Sequence, residues 1–172
     1  GFATWFGAKS VYDFEKISNA FQAVTLATDE QRAALQGYAK ELNALFPYTN
    51  AQIMEAAFEL ARAGLTFEQV MGTLRGSLNL GLAGDIDLGE SADIATNVLT
   101  AMRLPMKTTE QAMESLTRVS DAMAYAAVRS NTDVRMMGET FKYVGPMAAA
   151  AGMSIEDVTA AAMIMANNGI RA

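Results

Sequence analysis

Cysteine and histidine are both absent from this 172-residue sequence. Without cysteine there are no disulfides, thiolate metal sites or cysteine nucleophiles. Without histidine no mechanism can use an imidazole. A basic half is missing as well. Residues 1–86 carry 6 Lys/Arg and 9 Asp/Glu, and residues 87–172 carry 7 and 10, so each half stands at −3. Neither half offers a positive surface to a phosphate backbone, and direct nucleic-acid binding is not expected. Long apolar runs are lacking too. The longest, Val144 to Ile155, is about 12 residues and is broken by Gly145, Pro146 and Gly152, against about 20 needed to span a bilayer. No basic start followed by an apolar core and a small-residue cleavage site is seen. The sequence begins at Gly1 and stops at Ala172 just past an apparent helix end, so a piece of a longer chain is expected.

What is present is helical patterning. Hydrophobic residues make up 51% of the chain and charged residues 19%, a globular balance. Apolar residues recur three and four apart: Phe14, Ile17, Phe21 and Val24; Leu35, Tyr38, Leu42 and Leu45; Val70, Leu74 and Leu78; Ile94, Val98 and Met102; Met113, Leu116 and Met123; Val134, Met137, Phe141 and Val144. Alternating runs that would suit strands are absent.

Helix starts are marked by Thr28-x-x-Gln31, Thr49-x-x-Gln52, Thr66-x-x-Gln69 and Thr108-x-x-Gln111, each fitting a capping box, with Asp87-x-x-Glu90 as a carboxylate version. Helix stops are expected at Gly64, Gly84, Pro105, Gly152 and Gly169. The expected fold is all-α: about eight short amphipathic helices packed as hairpins, with Gly145-Pro146 kinking or breaking a helix.

An internal echo runs through the chain. Ala63-Gly64-Leu65-Thr66-Phe67-Glu68-Gln69-Val70 resembles Ala151-Gly152-Met153-Ser154-Ile155-Glu156-Asp157-Val158, and Thr49-Asn50-Ala51 resembles Ser130-Asn131-Thr132. The offsets are 88 and 81 residues, which implies an insertion of 7 between them. Two matched helical hairpins around a middle section is one reading. Ordinary reuse of a helix turn is the other, and two copies are too few to define a solenoid.

Candidate chemistry is sparse. The acidic loop Asp85-Ile86-Asp87-Leu88-Gly89-Glu90 hints at calcium, but an EF-hand counted from Asp85 would place Glu90 and Thr96 where Gly and Glu belong. N-capping explains it better. Glu55/Glu59 and Glu110/Glu114 sit one turn apart on a helix face, whereas paired acid catalysis needs carboxylates facing across a cleft. Gly72, Gly76, Gly81 and Gly84 lack the strand and Gly-Lys-Ser/Thr of a phosphate loop, and suit close helix packing. Met136, Met137, Met147, Met153, Met163 and Met165 cluster late. Core filling is the favoured reading of them and an adaptable binding face the alternative. The alanine tracts 148–151 and 160–162 would let helices approach closely. No catalytic, cofactor-binding or metal residue is assigned.

Several blocks taken in order resemble the core region of phage tail tape measure proteins. They are Ala61-Arg62-Ala63-Gly64-Leu65-Thr66-Phe67-Glu68-Gln69-Val70, Leu78-Asn79-Leu80 and Gly84-Asp85-Ile86-Asp87-Leu88; then Ala92-Asp93-Ile94-Ala95 and Met102-Arg103-Leu104; then Ser120-Asp121-Ala122-Met123-Ala124-Tyr125-Ala126 and Ser130-Asn131-Thr132-Asp133-Val134. The strongest is Phe141-Lys142-Tyr143-Val144-Gly145-Pro146-Met147-Ala148, with the Gly152–Val158 turn and Asn168-Gly169-Ile170. The resemblance covers 48–172; residues 1–47 match only as generic amphipathic helix, giving an expected division at that point.

The resemblance implies a long helical protein in the lumen of a growing tail, whose extent sets tail length and which leaves ahead of DNA. It implies tail tube protein, tail-assembly chaperones and tail-tip or baseplate proteins as partners, together with self-association. Residence in the virion tail, passage through the host cytoplasm during assembly and contact with the host envelope also follow from it. No active residues and no cofactor come with it. A helical adaptor or assembly-initiation module, or a membrane-interacting one, is the rival expectation.

Overall fold

The computed structural model describes residues 2–170, with side chains from Tyr12 onward. Eight α-helices and no strand occur among the described residues: α1 Phe2–Thr25, α2 Asp29–Asn43, α3 Asn50–Arg62, α4 Phe67–Gly84, α5 Leu88–Ala101, α6 Thr109–Arg129, α7 Val134–Ala150 and α8 Ile155–Asn167. The fold is all-α, as the periodicity implies. Connections are only three to seven residues long, so consecutive helices fold back as hairpins.

The helices form two rows. In one, α1 packs on α3, α3 on α5 and α5 on α7; in the other, α2 meets α4, α4 packs on α6 and α6 on α8. Consecutive helices join the rows, so each hairpin rests mainly on its neighbours. The sequence echo marks two of these hairpins, but the stacking runs through all eight helices. Apolar side chains fill the space between rows. Phe21, Leu35, Leu42, Ile53, Leu60, Leu74 and Leu78 form one buried cluster; Leu80, Val98, Leu99, Leu116, Met123 and Phe141 belong to the next. α4 and α5 contribute to both clusters and tie them together.

The helix ends follow local chemistry. Thr28, Thr49, Thr66 and Ser154 each form a complete capping box with the residue three on. Two expected boxes are incomplete. Thr108 accepts from the Gln111 N–H, but the Gln111 side chain accepts from Lys107 N instead. Asp87 accepts from the Gly89 N–H, while Glu90 is taken by Arg135. Five helices end in the same double hydrogen bond. After α3, for example, Leu65 N–H donates to Leu60 O at 3.3 Å and Gly64 N–H to Ala61 O at 3.0 Å. The left-handed residue is Gly64, Gly152 or Gly169 at three ends, but Asp85 (φ 48°) and Arg103 (φ 51°) at two others. Gly84, expected as a stop, is therefore the last helical residue and not the turning one.

Gly145-Pro146 breaks nothing: α7 is continuous from Val134 to Ala150 with Pro146 inside it. Pro146 is exposed, so the Lys142 carbonyl left without its helical donor lies near water. Gly145 has its own role, since a Cβ there would come within 2.8 Å of Ala101 Cβ on α5. The echo also needs adjustment. Ser130 caps the end of α6, and the residue that starts α7 is Asp133, 84 residues after Thr49. α7 has 17 residues and α3 has 13, so the insertion is about one helical turn.

The tightest joint is α4 on α6. A Cβ at Gly72 would collide with the Thr109 carbonyl, and one at Gly76 would lie 2.8 Å from Leu116 Cγ. Ser120 Oγ donates to Gly76 O across the contact at 2.8 Å. Here the glycines serve close packing, as their sequence context suggests. Gly37, by contrast, sits exposed in α2 with open space around it. Gly37→Ala should therefore raise stability by about 0.5–1 kcal/mol through helix propensity. Gly72→Ala should lower it by about 1–3 kcal/mol despite the same propensity gain. Urea unfolding of the two variants beside the parent chain checks the opposed signs.

Candidate functional site

Of the expected acidic groups, Glu59, Asp87, Glu90 and Glu110 are employed structurally. Glu59 pairs with Arg62 at 3.0 Å, Asp87 caps α5 and Glu90 binds Arg135. Glu110 has its carboxyl held low chiefly by a backbone hydrogen bond at the start of α6, with help from Thr108. Asp157 is lowered chiefly by the hydrogen bond donated by the Ser154 hydroxyl, with the Ser154 backbone N–H second. The shifted carboxyls are therefore helix caps and ion-pair partners. No cluster of three or more metal-ligating side chains occurs among the described residues.

Two ion forks tie neighbouring helices within a row, one fork in each row. Arg135 of α7 grips Glu90 of α5, with Nε–Oε1 at 2.6 Å and Nη2–Oε2 at 2.8 Å. Arg118 of α6 grips Glu156 of α8 at 2.9 and 2.8 Å. The paired residues are 45 and 38 apart in sequence, so no local pattern announces them.

The most distinctive surface lies at the α7–α8 end of the stack. Tyr143, Met147 and Ile164 are largely exposed, and Val144, Met153 and Met165 partly so. Between the two helices runs a groove of about 200 Å³, lined by Met137, Thr140, Tyr143, Val144, Ala162, Met165, Ala166 and Ile170, with Thr132 at its edge. No charged side chain among the described residues lines it. The methionine cluster is thus divided. Met137 is core, as core filling requires, whereas Met147, Met153 and Met165 contribute to the open surface. Of the alanine tracts, Ala148 and Ala162 are buried while Ala150, Ala160 and Ala161 face solvent. Val144 sat in one of the sequence's apolar stripes, and Met147 and Met165 in its methionine cluster; Tyr143 and Ile164 were in neither, and their only signal is a second apolar face on helices already supplied with one. Such a surface can hold another apolar helix face.

The profile of the family described as phage-related minor tail protein matches residues 36–172. The chain belongs to that family. This tail protein is also similar to the tape measure protein of Pneumococcus phage Dp-1, with 28% identity over 159 residues. The match covers 92% of this chain but only 13% of the Dp-1 protein. No solved structure matches. Membership places the tail protein among components of the phage tail, in agreement with the resemblance carried by its helix-turn blocks.

The Arg118–Glu156 fork makes a measurable contribution to the α6–α8 joint. Hydrogen bonding to Arg118 holds the Glu156 carboxyl at about 2, against an ordinary 4.5. A lowered carboxylate pKa stabilises the folded chain above about pH 4.5, and the gain disappears as pH falls through about 2. Both side chains are about half exposed, so solvent screening limits the effect to under ~1 kcal/mol. Arg118→Met should cost up to that amount at pH 7, and the difference from the parent chain should shrink toward pH 2. Urea titrations at both pH values provide the check.

Proposed function

We propose that this chain is a length-measuring segment of a tape measure protein. The observation that carries the reading is the family match over most of the chain, joined to a structure made of helices and turns alone. Length is a natural output of such a polypeptide. A continuous helix rises about 1.5 Å per residue, so 172 residues would span about 260 Å. Folded as a stack, the same residues advance only about 10 Å per helix pair. In this reading, residues 48–172 are the tape-measure core and residues 1–47 a helical segment leading into it.

Tail tube subunits would polymerise around the protein until its extent is covered. Tail-assembly chaperones would keep its apolar faces covered beforehand, and tail-tip or baseplate proteins would anchor one end. Copies of the protein would associate through those same faces. Assembly would take place in the host cytoplasm, and the protein would leave ahead of DNA and meet the host envelope. A ruler role uses shape and no bond-making, which accords with carboxylates engaged in caps and ion forks.

A second reading is favoured by one observation. The exposed Tyr143, Met147 and Ile164 would suit a folded adaptor that initiates assembly by binding a tail partner. Membrane crossing finds less support, because no helix among the described residues is long and apolar enough to cross a membrane.

In-frame deletion tests the ruler. Removing residues 134–167, the 34 residues of α7, its turn and α8, should shorten tails by about 50 Å if they are measured as extended helix. Shortening by about 10 Å would mean the segment is counted as a folded stack. Tails of unchanged length by electron microscopy would overturn the length role and favour the adaptor.

A further inference from the structure

We propose that the α7–α8 groove is the seat of one more amphipathic helix of the same polypeptide, docked as α5 is docked on α3–α4. The case begins with the repeat. The α3–α4 and α7–α8 turns share the same Gly-based double hydrogen bond and the same capping box, 88 residues apart at Thr66 and Ser154. At that offset Ala56 corresponds to Val144 and Ser77 to Met165. On the first pair α5 covers this level: Ser91 Oγ donates to Ser77 O at 2.6 Å, and Ala56 and Ser77 are 1% and 0% exposed. At the corresponding places on the second pair, Val144 is 38% and Met165 40% exposed. The receiving surface is repeated and its cover is not.

The groove defines what can fill it. Its lining is mostly apolar and uncharged among the described residues, so it suits the apolar ridge of a helix. The chain is already aimed there. α8 ends in the same turn as α3 and α7, with Gly169 left-handed, Gly169 N–H on Ala166 O and Ile170 N–H on Met165 O. That turn brings Ile170 back to line the groove. At the end of α4 the equivalent turn at Asp85 buries Ile86 and delivers α5 onto α3 and α4. A helix following α8 would enter the α7–α8 groove through the same kind of turn, about one helical turn sooner, since Gly169 lies 15 residues after Ser154 and Asp85 lies 19 after Thr66. In the Dp-1 relative there is ample further chain, since the matched region is only 13% of that protein. The proposal rests on family membership and not on the ruler role.

Hydrogen exchange followed by mass spectrometry tests it, on the full polypeptide its gene encodes and on this 172-residue chain. Amides of α8 and of the second half of α7 should exchange at least about tenfold more slowly in the full polypeptide. Met165→Lys, at a half-exposed position, should restore fast exchange there while α3–α4 stays protected and the 172-residue chain keeps its melting temperature. Equal exchange in the two polypeptides would overturn the proposal. So would protection in the 172-residue chain that rises with its own concentration, because a second copy would then be the occupant. Tail length is not part of this measurement, so its outcome is independent of the deletion experiment.

Discussion

A helical hairpin in this chain has more apolar surface than its two helices can cover for each other. That excess makes the stack. α4 shows it clearly: Val70, Leu74 and Leu78 bury against one cluster, Leu80 against the next, while Gly72 and Gly76 receive α6 on a further side. Each fully buried Leu or Phe contributes roughly 1.5–3 kcal/mol of transfer free energy, and that gain is available only when the neighbouring pair is in place. Order along the stack therefore comes from burial, and any end hairpin is left with an uncovered face.

Burial is non-directional, so something else sets how the helices meet. Directional contacts do this at identifiable points. The glycines of α4 let α6 come close enough for Ser120 to reach the Gly76 carbonyl. Ser91 fixes α5 on Ser77. The Arg135–Glu90 and Arg118–Glu156 forks then tie α7 to α5 and α8 to α6, one in each row. Exposed ion pairs of this kind add little stability, but their two-point geometry restricts how far one helix can slide along another.

The same burial bears on a ruler. Extending the stack into a continuous helix would bare Phe21, Leu35, Leu74, Leu116 and Phe141 together. The loss would be prohibitive in water, so an extended form requires other apolar surfaces in contact with these stripes throughout. The turns themselves are less of an obstacle. Gly64, Gly152 and Gly169 hold left-handed conformations that glycine leaves as easily as it adopts. Asp85 and Arg103, at two other turns, gain by leaving theirs. Pro47 and Pro105, in the α2–α3 and α5–α6 connections, would still kink or break a continuous helix there.

Helix type and helix starts were legible in the sequence because they are local. A hydroxyl and a glutamine three residues apart meet through one turn of backbone, as at Thr28, Thr49 and Thr66. Near misses arose where a distant side chain competed, as when Arg135 took Glu90 from its expected cap. Pro146 was misleading because the cost of a lost helical hydrogen bond depends on whether water reaches the freed carbonyl, and exposure is not a local property. The candidate face was the least legible part. Val144 and Phe141 belong to one apolar stripe, yet Phe141 is core and Val144 lines the open groove. By itself the sequence determined that the chain is helical, where α2 to α6 begin and that it carries no imidazole or thiol chemistry. Only the tertiary structure decided which apolar residues find cover, because that depends on how many neighbouring helices reach each face, and spacing along one helix does not encode the number.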